Sequence, residues 1–172
     1  MDNIIFESQM NLGYSDDANI YRIERDADVA GLYENGIKSV ELIRKQGRRL
    51  IFIEAKTSCP NRTNREKSEE AKQSYNEYVN EICQKFQDSV QLYMALRLGV
   101  RTSADIPEAV GNVALGEDTC RLVLVVKNAE DYWLEGYQEE FSQRMADFLR
   151  IWRITNVFVI NEDRAKRKGF VF

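Results

Sequence analysis

Three residues of the chain carry the types and spacing that chemistry on a phosphate ester asks for: Glu41, Glu54 and Lys56. Glu54 and Lys56 stand two apart in the apolar run Leu50-Ile51-Phe52-Ile53-Glu54-Ala55-Lys56, and Glu41 lies in the run before it, Ser39-Val40-Glu41-Leu42-Ile43. Side chains alternate faces along a strand, so Glu54 and Lys56 share one face while Ile51, Ile53 and Ala55 share the other. Between the runs lies Gly47-Arg48, read as a two-residue hairpin loop with glycine in its first position. That loop pairs Gln46 with Arg49, and counting back sets Glu41 opposite Glu54. Two facing carboxylates repel, and a charge in an apolar strand must find a partner. Lys56 offsets one charge. A hard divalent cation offsets more, taking carboxylate and carbonyl oxygens at ~2.1 Å in the case of magnesium and leaving other positions to water or phosphate. Such a site favours metal-assisted phosphodiester hydrolysis, with a neighbouring ammonium orienting the attacking water.

An acid in one strand, followed by an apolar strand ending in Glu54-Ala55-Lys56, resembles the PD-(D/E)xK nuclease superfamily. The resemblance implies a restriction-endonuclease-like core: a helix, a hairpin carrying the motif, a second helix and a further strand. By position, Glu41 would take the place of the motif's aspartate as a metal ligand. Glu54 would be the second acid, Lys56 the catalytic lysine, and the Ala55 carbonyl would complete a Mg2+ or Mn2+ site. Val40-Glu41 stands where the motif has Pro-Asp. Glu24 and Glu34 are candidates for an acid contributed near the first helix, and Gln87 and Gln91 for a polar residue contributed by the second. The implied partner is nucleic acid, DNA ahead of RNA, in restriction, defence or repair. The alternative is the same fold without catalysis, serving as a binding or assembly module, or a plain interaction domain.

Composition narrows the chemistry further. The chain of 172 residues has no histidine, which removes His-dependent nuclease motifs, Ser-His-Asp triads and most catalytic zinc sites. Cys59, Cys83 and Cys120 are odd in number and far apart, and read as reduced packing residues. A net charge of −4 argues against a surface devoted wholly to nucleic acid, while basic groups cluster locally. These are Arg44, Lys45, Arg48 and Arg49 near the hairpin loop, Arg62, Arg65 and Lys67 after it, and Arg164, Lys166, Arg167 and Lys168 near the end. No run approaches a membrane span and the start lacks a secretory pattern, so a cytoplasmic protein is expected.

The elements that must position these residues follow from periodicity. With 44% apolar residues, 30% charged and no linker-like stretch, one α/β (or α+β) domain over residues 1–172 is expected. Its centre is a mixed sheet flanked by helices. Ile4 to Met10 and Ile20 to Glu24 read as short strands, and Gly36 as the stop of a short helix. Thr63-Asn64-Arg65-Glu66 has capping-box spacing and predicts the start of a long helix to about Leu98, striped by Tyr75, Val79, Ile82, Phe86, Val90 and Tyr93. Leu122 to Val126 reads as a central strand covered on both faces. A helix from Leu134 to Trp152 and a buried strand from Val157 to Ile160 follow, with Trp152 in the core and Trp133 either in the core or exposed at the helix start. At this size, sequence recognition by a nuclease would call for a homodimer or a partner protein.

Overall fold

The computed structural model describes residues 4–172. In chain order its elements are strands β1 (Ile4–Glu7), β2 (Met10–Tyr14) and β3 (Ile20–Tyr21), helix α1 (Ala30–Tyr33), strands β4 (Leu42–Gln46) and β5 (Arg49–Lys56), helices α2 (Glu69–Arg97) and α3 (Glu108–Gly111), strand β6 (Thr119–Val126), helices α4 (Asp131–Arg144) and α5 (Ala146–Ile151), strand β7 (Val157–Asn161) and helix α6 (Glu162–Arg167). A mixed five-stranded sheet runs in the order β3-β4-β5-β6-β7. The first three strands are antiparallel neighbours, and β5, β6 and β7 run parallel.

The β4–β5 hairpin has the register its loop predicts: Gln46 pairs with Arg49 and Leu42 with Ile53. Gly47 takes a φ of +56°, which the first position of such a loop requires. Alternation then divides the core in two. On one face Ile43, Leu50 and Phe52 join Leu122, Leu124 and Val126 beneath α2 and α4. On the other, Leu42, Ile51, Ile53, Val123 and Val125 are covered by the β1–β2 hairpin and by Ala165, Phe170 and Val171. Strand β6 is therefore apolar on both sides because both sides are covered. Among the described residues, no helix is long and apolar enough to cross a membrane.

Several expectations are corrected. The run from Ile4 to Met10 is not one strand: Ser8 and Gln9, both at positive φ (49° and 63°), fold it into a hairpin. Neither residue is glycine, so the sequence carries no turn signal there. The segment from Ile20 leaves the sheet after Tyr21 and makes a 3₁₀ turn over Ile23–Arg25. Helix α2 does not start at the Thr63 capping box. Asn61 caps a 3₁₀ turn over Arg62–Asn64 by accepting from the Thr63 amide, and Ser68 caps α2 by accepting from the Ala71 amide. Glu69 and Glu70 in the first turn suit the helix dipole there. The expected helix up to Trp152 breaks at Met145 into α4 and α5.

Candidate functional site

Glu54 lies two residues from the carboxyl end of β5, on the face beneath α2. That end is where the crevices of parallel sheets form. Glu41 sits one step before β4, and the ladder extended from Leu42 and Ile53 brings it across from Glu54. Its backbone approach is fixed by α2: Ser89 Oγ accepts from the Val40 amide at 2.8 Å, and Asp88 accepts from the Lys38 amide at 3.0 Å. The Glu54 side chain is wholly buried. Its Oε1 accepts from Lys85 Nζ at 2.7 Å, with Lys56 Nζ at 3.5 Å, while its Oε2 has no hydrogen-bond partner among the described residues. Lys85 Nζ also stands 3.8 Å from Glu41 Oε1. Lys56 Nζ donates to Glu81 Oε1 at 2.8 Å.

A second group of acids abuts the first. Glu7, at the end of β1, and Glu24, in the 3₁₀ turn after β3, each place an oxygen within 4.8 Å of one another and of Glu41. Arg22 Nη2 donates to both Glu7 and Glu24 at 2.7 Å, and Arg25 approaches the same pair. Five carboxylates (Glu7, Glu24, Glu41, Glu54, Glu81) thus share four cations (Arg22, Arg25, Lys56, Lys85). One negative charge is left over when all are ionised, and it weighs most on the buried acids Glu41 and Glu54.

Burial, the like charge of Glu54 and the neighbouring Glu24 push the Glu41 carboxyl up to about 8, against the pull of Lys85. Burial also raises Glu54, more than the Lys85 and Lys56 ammonium groups lower it. Burial works against the Lys85 ammonium, yet Glu54, Glu41 and Glu81 hold its pKa above the ordinary lysine value. Glu81, bonded to Lys56, is held below the usual carboxylate range. A buried carboxylate with an unpartnered oxygen beside a second acid of raised pKa is a site under electrostatic stress, the kind that binding a cation relieves. All the available ligands are oxygens, the donor set of Mg2+ or Mn2+ rather than of a soft metal. The Ala55 carbonyl accepts from Ser8 Oγ at 2.9 Å, which ties the β1–β2 turn to the site and leaves one lone pair of that oxygen.

Of the residues marked out in the sequence, Glu41, Glu54, Lys56 and Glu24 come together. Glu34 does not: it is exposed at the end of α1. On α2, Gln91 is exposed, Gln87 is half-buried, and neither hydrogen-bonds to these acids among the described residues. The helix instead contributes Glu81 and Lys85, one turn apart on the edge of its apolar stripe. Their signal was their position beside Ile82 and Phe86. Glu7 had no signal, because its strand lies far from the motif in sequence. Among the basic groups, Arg44 is not available to phosphate: it is buried, donating to the carbonyls of Gly169 and Leu12. Lys45 and Arg48 are paired with Asp118. The three cysteines are free, Cys83 buried and Cys59 and Cys120 half-buried. Compared with protein-family models, curated proteins and solved structures, the chain matches none.

Proposed function

We propose that the protein is a Mg2+- or Mn2+-dependent nuclease that hydrolyses phosphodiester bonds of nucleic acid, DNA before RNA, within the cytoplasm, in restriction, defence or repair. The observation that carries this reading is Glu54: a fully buried carboxylate with one oxygen unpartnered, across from Glu41 at the carboxyl end of β5. The order α1, β4–β5 hairpin, α2, β6 supports the resemblance to PD-(D/E)xK nucleases, although α1 is a single turn.

Glu54 through Oε2, Glu41 and the remaining lone pair of the Ala55 carbonyl would hold the cation, with Glu24 and Glu7 beside it. A bound hard dication supplies Lewis-acid stabilisation of the charge that develops on the phosphate. Glu41, with its raised pKa, would give up its proton to solvent before serving as a ligand. Lys56 donates to the attacking water and orients it, and Glu81 fixes the direction of that ammonium by accepting from it at 2.8 Å. Helix α2 covers the acids and excludes bulk water from one side, which strengthens each of these interactions.

A second reading, a nuclease-like fold that binds or assembles without cleaving, is favoured by Lys85, whose ammonium already lies between Glu54 and Glu41. Cleavage of plasmid and single-stranded substrates with Mg2+ or Mn2+, alongside Glu54→Gln and Lys56→Ala, separates the two. The nuclease reading expects products from the wild type and none from either variant. No product from any substrate, together with no heat of metal binding by calorimetry, would leave the assembly module. A homodimer, or a partner protein, would supply the second site for cutting both strands.

A further inference from the structure

A pocket of about 320 Å³ opens where the segment after β5 meets the first turns of α4, lined by Asn61, Arg62, Arg65, Tyr132, Trp133 and Gly136, with no acidic side chain in its lining. In a chain of net charge −4 that exclusion is informative. Arg65 is already paired, at 3.0 Å with Glu66 and 3.7 Å with Glu140, but Arg62 has no carboxylate partner among the described residues. Its Nε is buried without an acceptor among the described residues. The Arg62 guanidinium lies in a cradle that only glycine allows, since a Cβ added at Gly136 would meet its Nη1 at 1.7 Å. Beside it Tyr132 is 71% exposed, and its ring stands at 82° to that of Trp133 with centroids 5.9 Å apart. A large exposed aromatic next to an arginine that no carboxylate neutralises matches a nucleotide, whose base offers a π-face and whose phosphate accepts from a guanidinium fork.

A short loop joins the pocket to the strand that carries Glu54 and Lys56. Arg62 follows Lys56 by six residues, a contour of at most ~21 Å. The intervening loop is anchored where Asn128 donates to the Thr57 carbonyl (3.0 Å) and Tyr137 to that of Pro60 (2.5 Å). Tyr78 bridges the two regions, its ring 5.7 Å from that of Tyr137 and its hydroxyl pushed up by burial and further by Cys59, Tyr137, Glu54 and Glu81.

We propose that this pocket binds one unstacked nucleotide of a single strand, its base against Tyr132 and its phosphate on Arg62, a few nucleotides from the acids. Stacked bases of an intact duplex do not present a face to Tyr132, so the preferred form is single-stranded or frayed. The inference rests on the nuclease reading for its substrate class, and its test is run without metal so that the two fail separately.

The test is fluorescence anisotropy of a labelled dT12 strand in EDTA. Wild type should bind the strand more tightly than a duplex of equal length and far more tightly than dTMP. Arg62→Gln and Tyr132→Ala should each weaken binding about tenfold, and the arginine variant should lower the salt slope by about one. Tyr132 is exposed enough that its truncation leaves the fold intact. Gly136→Ala should displace the guanidinium and weaken strand binding while the melting temperature stays equal or rises, because alanine is the better helix residue. Equal affinity of all three variants and the wild type, equal affinity for duplex, or no wild-type binding would each overturn the proposal, as would dTMP competing as well as the strand. Strand binding lost in these variants, in a protein that cuts nothing with any metal, would keep the pocket and end the nuclease reading.

Discussion

Two charges are buried on the same hairpin, and they are treated in opposite ways. Arg44, near the loop end, donates to the Gly169 carbonyl at 2.6 Å and the Leu12 carbonyl at 3.1 Å, with its guanidinium 5.2 Å from the Phe172 ring centre. It is a clasp: the charge meets carbonyl dipoles and a ring face, and it ties the chain terminus and β2 to the sheet. Gly13 makes room for it, since a Cβ there would come 2.7 Å from its Nη2. Glu54, ten residues further on and in β5, keeps one oxygen without a partner among the described residues and faces another acid. The Arg44 charge is met by two carbonyls and a ring face, whereas Glu54 keeps an unpartnered oxygen, the capacity that the proposed chemistry would use.

The two charges should differ most in their effect on activity. Lys56→Ala and Glu54→Gln should each cut the cleavage rate at least about 100-fold, measured as plasmid nicking under excess metal, while Arg44→Met keeps the wild-type rate per folded molecule. Stability should reverse the order. Arg44→Met strands two buried carbonyls and should cost about 2 to 4 kcal/mol in urea unfolding. Glu54→Gln, which removes a carboxylate whose charged form is disfavoured in the fold, should melt no lower than wild type at pH 8. A large loss of stability in Glu54→Gln would make Glu54 a second clasp.

Acidity and metal sharpen the contrast. Glu41 is raised in the fold to about 8 from an ordinary carboxylate value near 4.5, so the native state binds the extra proton between those limits. Stability without metal therefore falls as pH rises from about 4.5 to 8, by at most about 1.4 kcal/mol per pH unit, and Glu41→Gln should flatten that slope in thermal melts. Divalent metal competes with that proton. At a hundredfold excess over its dissociation constant Mn2+ should stabilise by about 2.7 kcal/mol at pH 8, and less at pH 5.5. Lys85→Ala should tighten Mn2+ binding in calorimetry if the ammonium stands in the cation's place, whereas weaker binding would tie Lys85 to the site as a partner. The smallest effect belongs to Ser8→Ala, which loses one hydrogen bond to the Ala55 carbonyl and should cost about 1 kcal/mol.

Much of this arrangement was legible before the fold. The pairing of Glu41 with Glu54 followed from Gly47-Arg48 and alternation alone, because a two-residue loop fixes register and register fixes faces. The apolar run in β6 and the stripe of α2 followed from period in the same way. What stayed hidden was non-local or non-glycine. Glu7 reaches the acids only because a Ser8-Gln9 turn at positive φ folds β1 against β2. Lys85 and Glu81 flank the apolar stripe of α2, and only the packing of that helix over β5 brings them to Glu54 and Lys56. The basic residues near the loop read only as a local cluster on a solvated turn, but Arg44 is turned inward by the carbonyls of two distant segments that no local pattern announces.

The most direct test is a crystal of the protein soaked in Mn2+, with anomalous scattering used to find the ion. One peak is expected in contact with the carboxylate oxygens of both Glu54 and Glu41, with the Lys85 ammonium moved aside. No peak there, with Lys85 still bonded to Glu54, would contradict the proposed site.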